Sequence, residues 1–205
     1  FLYVPFNGVH SPFQVPEQYT KAYPNLAGNR QKLAGMLAAV DEAVGQIVAS
    51  LKKAGMLENT LIVFSSDNGG PPPGNNGPLR DYKATIYEGG TRAAAFAFWP
   101  GQIPAGKKIS GPMHMIDWYP TLVTLAGGSL KHALPIDGKD VWPMITKGEP
   151  SPHKAILSVS TRGISQAAIR MGDWKLIVAS IGETADGTPQ KQPKKYEPIS
   201  LFNLA

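Results

Sequence analysis

Leu61-Ile62-Val63-Phe64-Ser65-Ser66-Asp67-Asn68-Gly69-Gly70 is the stretch from which the rest of the chain can be read. An apolar run rich in β-branched and aromatic residues ends in two hydroxyls, an acid, an amide and a glycine pair. Such a run reads as a buried strand, and the glycines turn the chain at its end. In open α/β sheets, ligands collect outside the carboxyl ends of strands, which is where this places Asp67 and Asn68. A carboxylate beside an amide oxygen is a fair pair of hard-oxygen ligands for Ca²⁺ or Mg²⁺. By itself, strand–Asp–Asn–Gly also describes an ordinary turn. The neighbouring sequence decides between the two.

Upstream, Phe1-Leu2-Tyr3-Val4 reads as a strand that enters a Pro- and Gly-rich loop carrying His10. From about Asn29, the apolar residues Leu33, Met36, Leu37, Val40, Val44, Ile47, Val48 and Leu51 step by three and four. That spacing predicts one face of a long amphipathic helix, with Gly55 at its C-terminal cap and Asp41 and Glu42 on the solvated face. Strand, helix and the strand at Thr60–Ser65 predict a parallel crossover, hence an α/β architecture. Ala93–Trp99 reads as another buried strand. Asp117 precedes a helix over Trp118–Ala126, with Pro120 tolerated in the first turn and Gly127-Gly128 ending it.

Beyond about Pro150 the pattern shortens. Ile156–Ser160, Ala167–Arg170 and Trp174–Ala179 read as strands, the last two joined by Met171-Gly172-Asp173, and predict a small antiparallel subdomain. The domain reading is therefore 1–150 for an α/β portion and 151–205 for the antiparallel appendage. The polar stretch 182–195, with Lys191, Lys194 and Lys195, reads as a solvated loop and not a nucleic-acid patch, since no aromatics interleave with its lysines.

Composition sets outer limits. The chain has 205 residues, 42% hydrophobic and 17% charged, which suits one good core or a core with a small appendage. With 22 glycines and 19 prolines, much of it is loop. No uninterrupted apolar run approaches the ~18–20 residues of a membrane span, and no signal peptide opens the sequence. A chain that starts and stops in mid-pattern reads as an interior piece of a longer protein. The lack of cysteine excludes disulfides, thiolate metal sites and a cysteine nucleophile within these residues. The net charge of +5 suits an anionic ligand, and equally a modest surface excess of lysine and arginine.

Asp67 and Asn68 are followed by a Gly- and Asn-rich loop, then Pro78-Leu79-Arg80-Asp81-Tyr82-Lys83 and Tyr87-Glu88-Gly89-Gly90-Thr91-Arg92. Together with His10 this assembles an oxygen-ligand pair, an imidazole and a lysine on loops at a sheet edge. A tetrahedral oxyanion ester needs that set: a divalent cation and a lysine offset its charge, and an imidazole protonates the departing alkoxide.

In these residues the chain resembles the sulfatase family, most nearly the arylsulfatase B or N-acetylgalactosamine-4-sulfatase type, over nearly its whole length. The matching series is Phe1-Leu2-Tyr3 with His10 and Pro12, Gln14-Val15-Pro16-Glu17, Ala34-Gly35-Met36, and Asp41-Glu42-Ala43-Val44-Gly45. It continues with Phe64-Ser65, Asp67-Asn68-Gly69-Gly70, Gly74-Asn75-Asn76, Pro78-Leu79-Arg80, Lys83 and Glu88-Gly89-Gly90. Asp117-Trp118, Pro120-Thr121-Leu122, Asp137-Gly138 and Asp140-Val141-Trp142 complete it.

The resemblance implies an alkaline-phosphatase-like α/β fold, incomplete here, with a mostly parallel sheet flanked by helices. It implies that Asp67 and Asn68 supply two ligands of a Ca²⁺ (Mg²⁺ being the alternative), that His10 contacts the sulfate ester and acts as acid, and that Lys83 binds a sulfate oxygen. It also implies a formylglycine nucleophile, made from the Cys or Ser of a Cys/Ser-x-Pro-x-Arg motif, in an N-terminal half that this chain lacks. The partners it implies are a sulfated small molecule or glycan and that missing half, with no nucleic acid and no membrane span. The family is typically secreted, periplasmic or lysosomal. A phosphatase or phosphodiesterase of the same superfamily, or a non-catalytic metal- or glycan-binding fragment, are the alternatives.

Other residues read as structural: Glu88 and Arg92 as braces of the Gly89-Gly90 turn, and His114 and Asp117 as strand-end and helix-cap residues. His132 and His153 read as loop histidines with no partner pattern, and Trp99, Trp118, Trp142 and Trp174 as core or subdomain contacts. Gly77 stands where the family commonly carries an aromatic, and Asp81 replaces a small residue. Loss of a sugar-stacking surface and gain of a carboxylate argue against a galactosamine-4-sulfate substrate.

Overall fold

The computed structural model describes residues 1–131, 134–160, 166–179 and 199–205. The loop histidine at 132 and the lysine-bearing stretch 182–195 lie outside the described residues. The N-terminal loop leads into α1 (Glu17–Lys21) and the long α2 (Gly28–Lys53). The helix ends where sequence places its cap. Ala54 is the last half-helical residue, and Gly55 takes φ +67°. Gly55 N–H donates to the Lys52 carbonyl at 3.1 Å and Met56 N–H to the Leu51 carbonyl at 2.9 Å, the paired bonds of a Schellman turn.

At Gly35 the helix meets α1, where an added methyl would stand 3.3 Å from the Tyr19 carbonyl carbon. Met36 is buried, while Leu37, expected on the apolar face, is exposed. By length and mean hydropathy (1.3) α2 could cross a membrane, more nearly than uninterrupted run length suggested. In this fold its Val44 and Val48 instead line an apolar cavity of about 340 Å³ with Ile62, Phe96, Ala97 and Phe98.

β1 (Ile62–Ser65) and β2 (Ala95–Phe98) form that cavity's sheet wall, in register Ile62↔Phe98 through Ser65↔Ala95. Three expectations are corrected here. Phe1–Val4 forms no strand, because nothing among the described residues offers it a ladder, and its first three side chains are exposed. The parallel crossover therefore does not form, and every described strand pair is antiparallel. β2 is shorter than read and half open: Phe96 and Phe98 are exposed, Phe96 stacking on Phe64 at 5.2 Å between ring centroids.

The Gly-rich loop runs from β1 to α3 (Glu88–Thr91), a single turn. After β2, a short 3-10 turn (Met115–Asp117) precedes α4 (Trp118–Leu125), which stops at Gly127 (φ +70°) as its glycine pair predicts. α5 (Trp142–Lys147) supplies Met144 and Ile145, which with Val141 just before the helix pack against Ile103, Met113 and Trp118 in one small core. Trp99 and Trp142 meet at 5.9 Å between ring centroids.

β3 (Ile156–Ser160), β4 (Gln166–Met171), β5 (Trp174–Ala179) and β6 (Ile199–Asn203) form the expected antiparallel sheet, in chain order. Met171 pairs with Trp174 across a two-residue loop, with Gly172 at φ +55° in the position a type II′ turn reserves for glycine. Trp174 lies in the subdomain sheet, half out in solvent at 52% exposure. One face of this sheet closes on the α3 region: Ala168 and Ile177 are buried with Ile86 and Tyr87, and Phe202 packs edge-on to Tyr87 at 5.7 Å.

Candidate active site

The strand that opened the reading delivers its acid as expected. Asp67 leaves β1 exposed, with Asn68 half-buried beside it. His10 and Asp67 line one open cavity of about 820 Å³, together with Asn7, Gln14 and Met36. Two loops 57 positions apart in sequence thus converge, with α2 as the floor.

His10 has a defined tautomer. Its Nδ1 lies 2.8 Å from the Ser11 carbonyl oxygen, which can only accept, so Nδ1 carries the hydrogen. Nε2 is left as the proton-exchanging atom. The Asp67 carboxylate and the Asn68 amide make no side-chain hydrogen bond or ion pair among the described residues, so both oxygens stay available. A hard cation takes six to eight oxygens. Asp67 and Asn68 fit two of those positions in chemistry, and no group of three His, Cys, Asp or Glu among the described residues completes a shell.

Lys83 is half-buried, and its backbone N–H donates to the Gly70 carbonyl at 3.2 Å, two residues beyond Asn68. The segments around it are packed backbone to backbone. Gly69 N–H donates to Gly90 O at 3.0 Å, and Gly89 N–H to Arg80 O at 2.8 Å. A methyl on Gly69 would strike the Gly89 carbonyl, and one on Gly89 the carbonyls of Asp81 and Arg80. These are close-approach glycines, and their φ angles are ordinary. Asp81 sits at φ +67°, a left-handed conformation that aspartate tolerates better than most residues and glycine alone takes freely.

Glu88 does more than brace its own turn. Its carboxylate accepts from Lys175 Nζ at 2.8 Å and lies 3.8 Å from Arg170. Arg170 and Lys175 are cross-strand partners on β4 and β5, so Glu88 fastens the C-terminal sheet under the glycine turn. Arg80 lies over the Tyr87 ring, 4.1 Å from its centroid, adding a cation–π contact to the same junction.

Two features escape sequence reading. Asp117 is fully buried and accepts from His114 N–H at 2.7 Å, Lys139 N–H at 2.9 Å and His153 Nε2 at 2.8 Å. His153 therefore has a partner, one for which the sequence showed no pattern, since the two are 36 positions apart with no shared motif. The second is Asn76, whose side chain touches three loops of the site.

Comparison with known proteins shows the family to which the chain belongs. The profile of the family described as Sulfatase matches residues 1–129. Arylsulfatase J of Mus musculus is 37% identical over 93% of this chain and 35% of its own length. N-acetylgalactosamine-6-sulfatase of the same organism is 30% identical over 85% of this chain and 33% of its own. The crystal structure of Ps i-CgsB superposes with a TM-score of 0.83 at 38% identity, covering 97% of this chain and 42% of that one. A second structure of that protein is a complex with k-i-k-neocarrahexaose. The chain belongs to the sulfatase family, whose members among these relatives are sulfuric ester hydrolases of the alkaline-phosphatase-like fold. It spans about a third to two-fifths of the length of the relatives it matches.

Proposed function

We propose that this chain is the portion of a Ca²⁺-dependent sulfatase that carries the leaving-group acid, one sulfate-binding cation and two metal ligands. The substrate class is a sulfate ester on a glycan, a reading supported by the oligosaccharide complex of Ps i-CgsB and by the amino-sugar sulfatase relatives. The observation that carries the proposal is the convergence of His10 and Asp67 on one open cavity. Residues 1–150 form part of the catalytic α/β domain, and 151–205 an antiparallel subdomain docked on its glycine turn.

The roles follow from the chemistry. Asp67 and Asn68 would hold the cation, which when bound offsets negative charge on a sulfate oxygen. Lys83 neutralises a second sulfate oxygen as charge shifts onto it in the transition state. The Ser11 carbonyl holds His10 Nδ1–H, so the imidazolium presents its Nε2 proton to the departing alcohol oxygen. The nucleophile, a formylglycine hydrate in this reading, comes from residues outside this chain.

The test is the full-length protein assayed against matched aryl sulfate and aryl phosphate esters, with and without Ca²⁺. Ca²⁺-dependent sulfate release that Asp67→Ala and His10→Ala each abolish supports the assignment. A clear preference for the phosphate ester would replace it with the phosphatase reading.

A further inference from the structure

Asn76 commits both amide hydrogens and its Oδ1 to backbone groups of the loops beside the candidate site. Its Oδ1 accepts from Gly70 N–H at 3.0 Å, while Nδ2 faces the carbonyls of Gly70 at 3.1 Å, Asp81 at 2.9 Å and Gly89 at 2.9 Å. Two hydrogens serve three acceptors, so one is shared. Each acceptor lies on a different segment. Gly70 closes the loop that presents Asp67 and Asn68, Asp81 stands two residues before Lys83, and Gly89 belongs to the turn fastened by Glu88 to Lys175.

The backbone bonds from Lys83 to Gly70, from Gly69 to Gly90 and from Gly89 to Arg80 join the segments only in pairs. The glycines let the three backbones approach, and the amide sets how far they approach. We propose that Asn76 is a positioning residue, fixing the distance between the Asp67–Asn68 ligand pair and the Lys83 ammonium without touching substrate or metal.

The inference rests on the sulfatase reading for its functional consequence, but its structural half can be tested separately. Residues that orient first ligands typically cost about 10–100-fold in metal affinity or activity when removed. In the full-length protein, Asn76→Ala and Asn76→Asp are each measured for Ca²⁺ affinity by calorimetry, for kcat and KM on an aryl sulfate, and for amide exchange at Gly69, Gly70, Lys83 and Gly89. Asn76→Asp keeps the size and the acceptor facing Gly70 N–H but removes the two-hydrogen donor, so it reports where Asn76→Ala does not fold.

The expected result is faster exchange at those four amides, Ca²⁺ affinity and kcat each lower by about tenfold or more, and KM changed far less. Folded variants with a lower melting temperature but Ca²⁺ affinity and kcat within about twofold of the parent overturn the proposal, because they make Asn76 a stability residue only. So does unchanged exchange at the four amides. If Asp67→Ala leaves the parent's activity intact, the sulfatase reading of the site fails, and the exchange result still decides whether Asn76 sets the loop positions.

Discussion

A single lysine tests what the site does. On the proposed assignment, Lys83→Ala in the full-length protein would remove one donor to the developing charge, and such a donor is typically worth about 3–4 kcal/mol of the barrier, or roughly 10²–10³ in kcat. Its effect on folding is expected to stay within about 0.5 kcal/mol, since the held part of Lys83 is its backbone N–H, which alanine keeps. Kinetics and thermal melts on one preparation separate the two. Near-normal kcat with a much lower Tm would make the lysine structural. Asp67→Ala differs in kind, because it deletes a ligand and its charge together. Ca²⁺ should then no longer raise the Tm of the folded protein, a shift that depends on binding to the native state alone.

At the scale of elements, the caps and the glycine packing make opposite predictions for the same substitution. Gly55→Ala meets open space but keeps φ near +67°, so its cost is limited to the backbone, about 1 kcal/mol. Gly89→Ala meets two carbonyl oxygens of the Arg80–Asp81 segment and cannot be accommodated without moving Lys83. Chemical denaturation should show a modest shift for the first, and loss of Ca²⁺-dependent stabilisation for the second. Between helices, Tyr19 on α1 donates to Glu42 on α2 at 2.8 Å, and that hydrogen bond holds the phenol above its ordinary pKa. A raised pKa means the contact is intact below the phenol's unfolded value and lost as pH rises through the folded one. Ultraviolet titration of Tyr19 against a Glu42→Gln variant should show the transition move to lower pH.

Across the whole molecule, the C-terminal sheet meets the glycine turn through an apolar cluster and one ionic anchor, the Glu88 carboxylate. Glu88→Ala would leave Lys175, 5% exposed, buried without its counter-charge, a change that typically costs about 3–5 kcal/mol. Glu88→Ala should therefore lower Tm sharply, whereas Lys175→Met, which leaves the Glu88 carboxylate the Arg170 guanidinium at 3.8 Å as counter-charge, should cost less. On the proposed mechanism, the 205-residue chain alone should release no sulfate from an aryl ester, because it contains no Cys and no Ser-x-Pro-x-Arg motif from which formylglycine could be made. Measured turnover by pure chain would require a different nucleophile.

Local chemistry was legible in the sequence. The period of α2, the glycine that caps it, the strand that delivers Asp67 and the two-residue loop before Trp174 each depend on residues adjacent along the chain. The ordered series from His10 to Lys83 identified the family for the same reason. Tertiary structure decided the pairings. Phe1–Val4 has strand composition but no described ladder partner, and a strand is defined by its neighbour, not by its own residues. Asn76 reaches Gly89 across 13 positions, Asp117 reaches His153 across 36, and Glu88 reaches Lys175 across 87. Such bonds leave no periodic mark on the sequence. They form because buried polar groups must find partners, and which partner is within reach depends on the path of the folded chain.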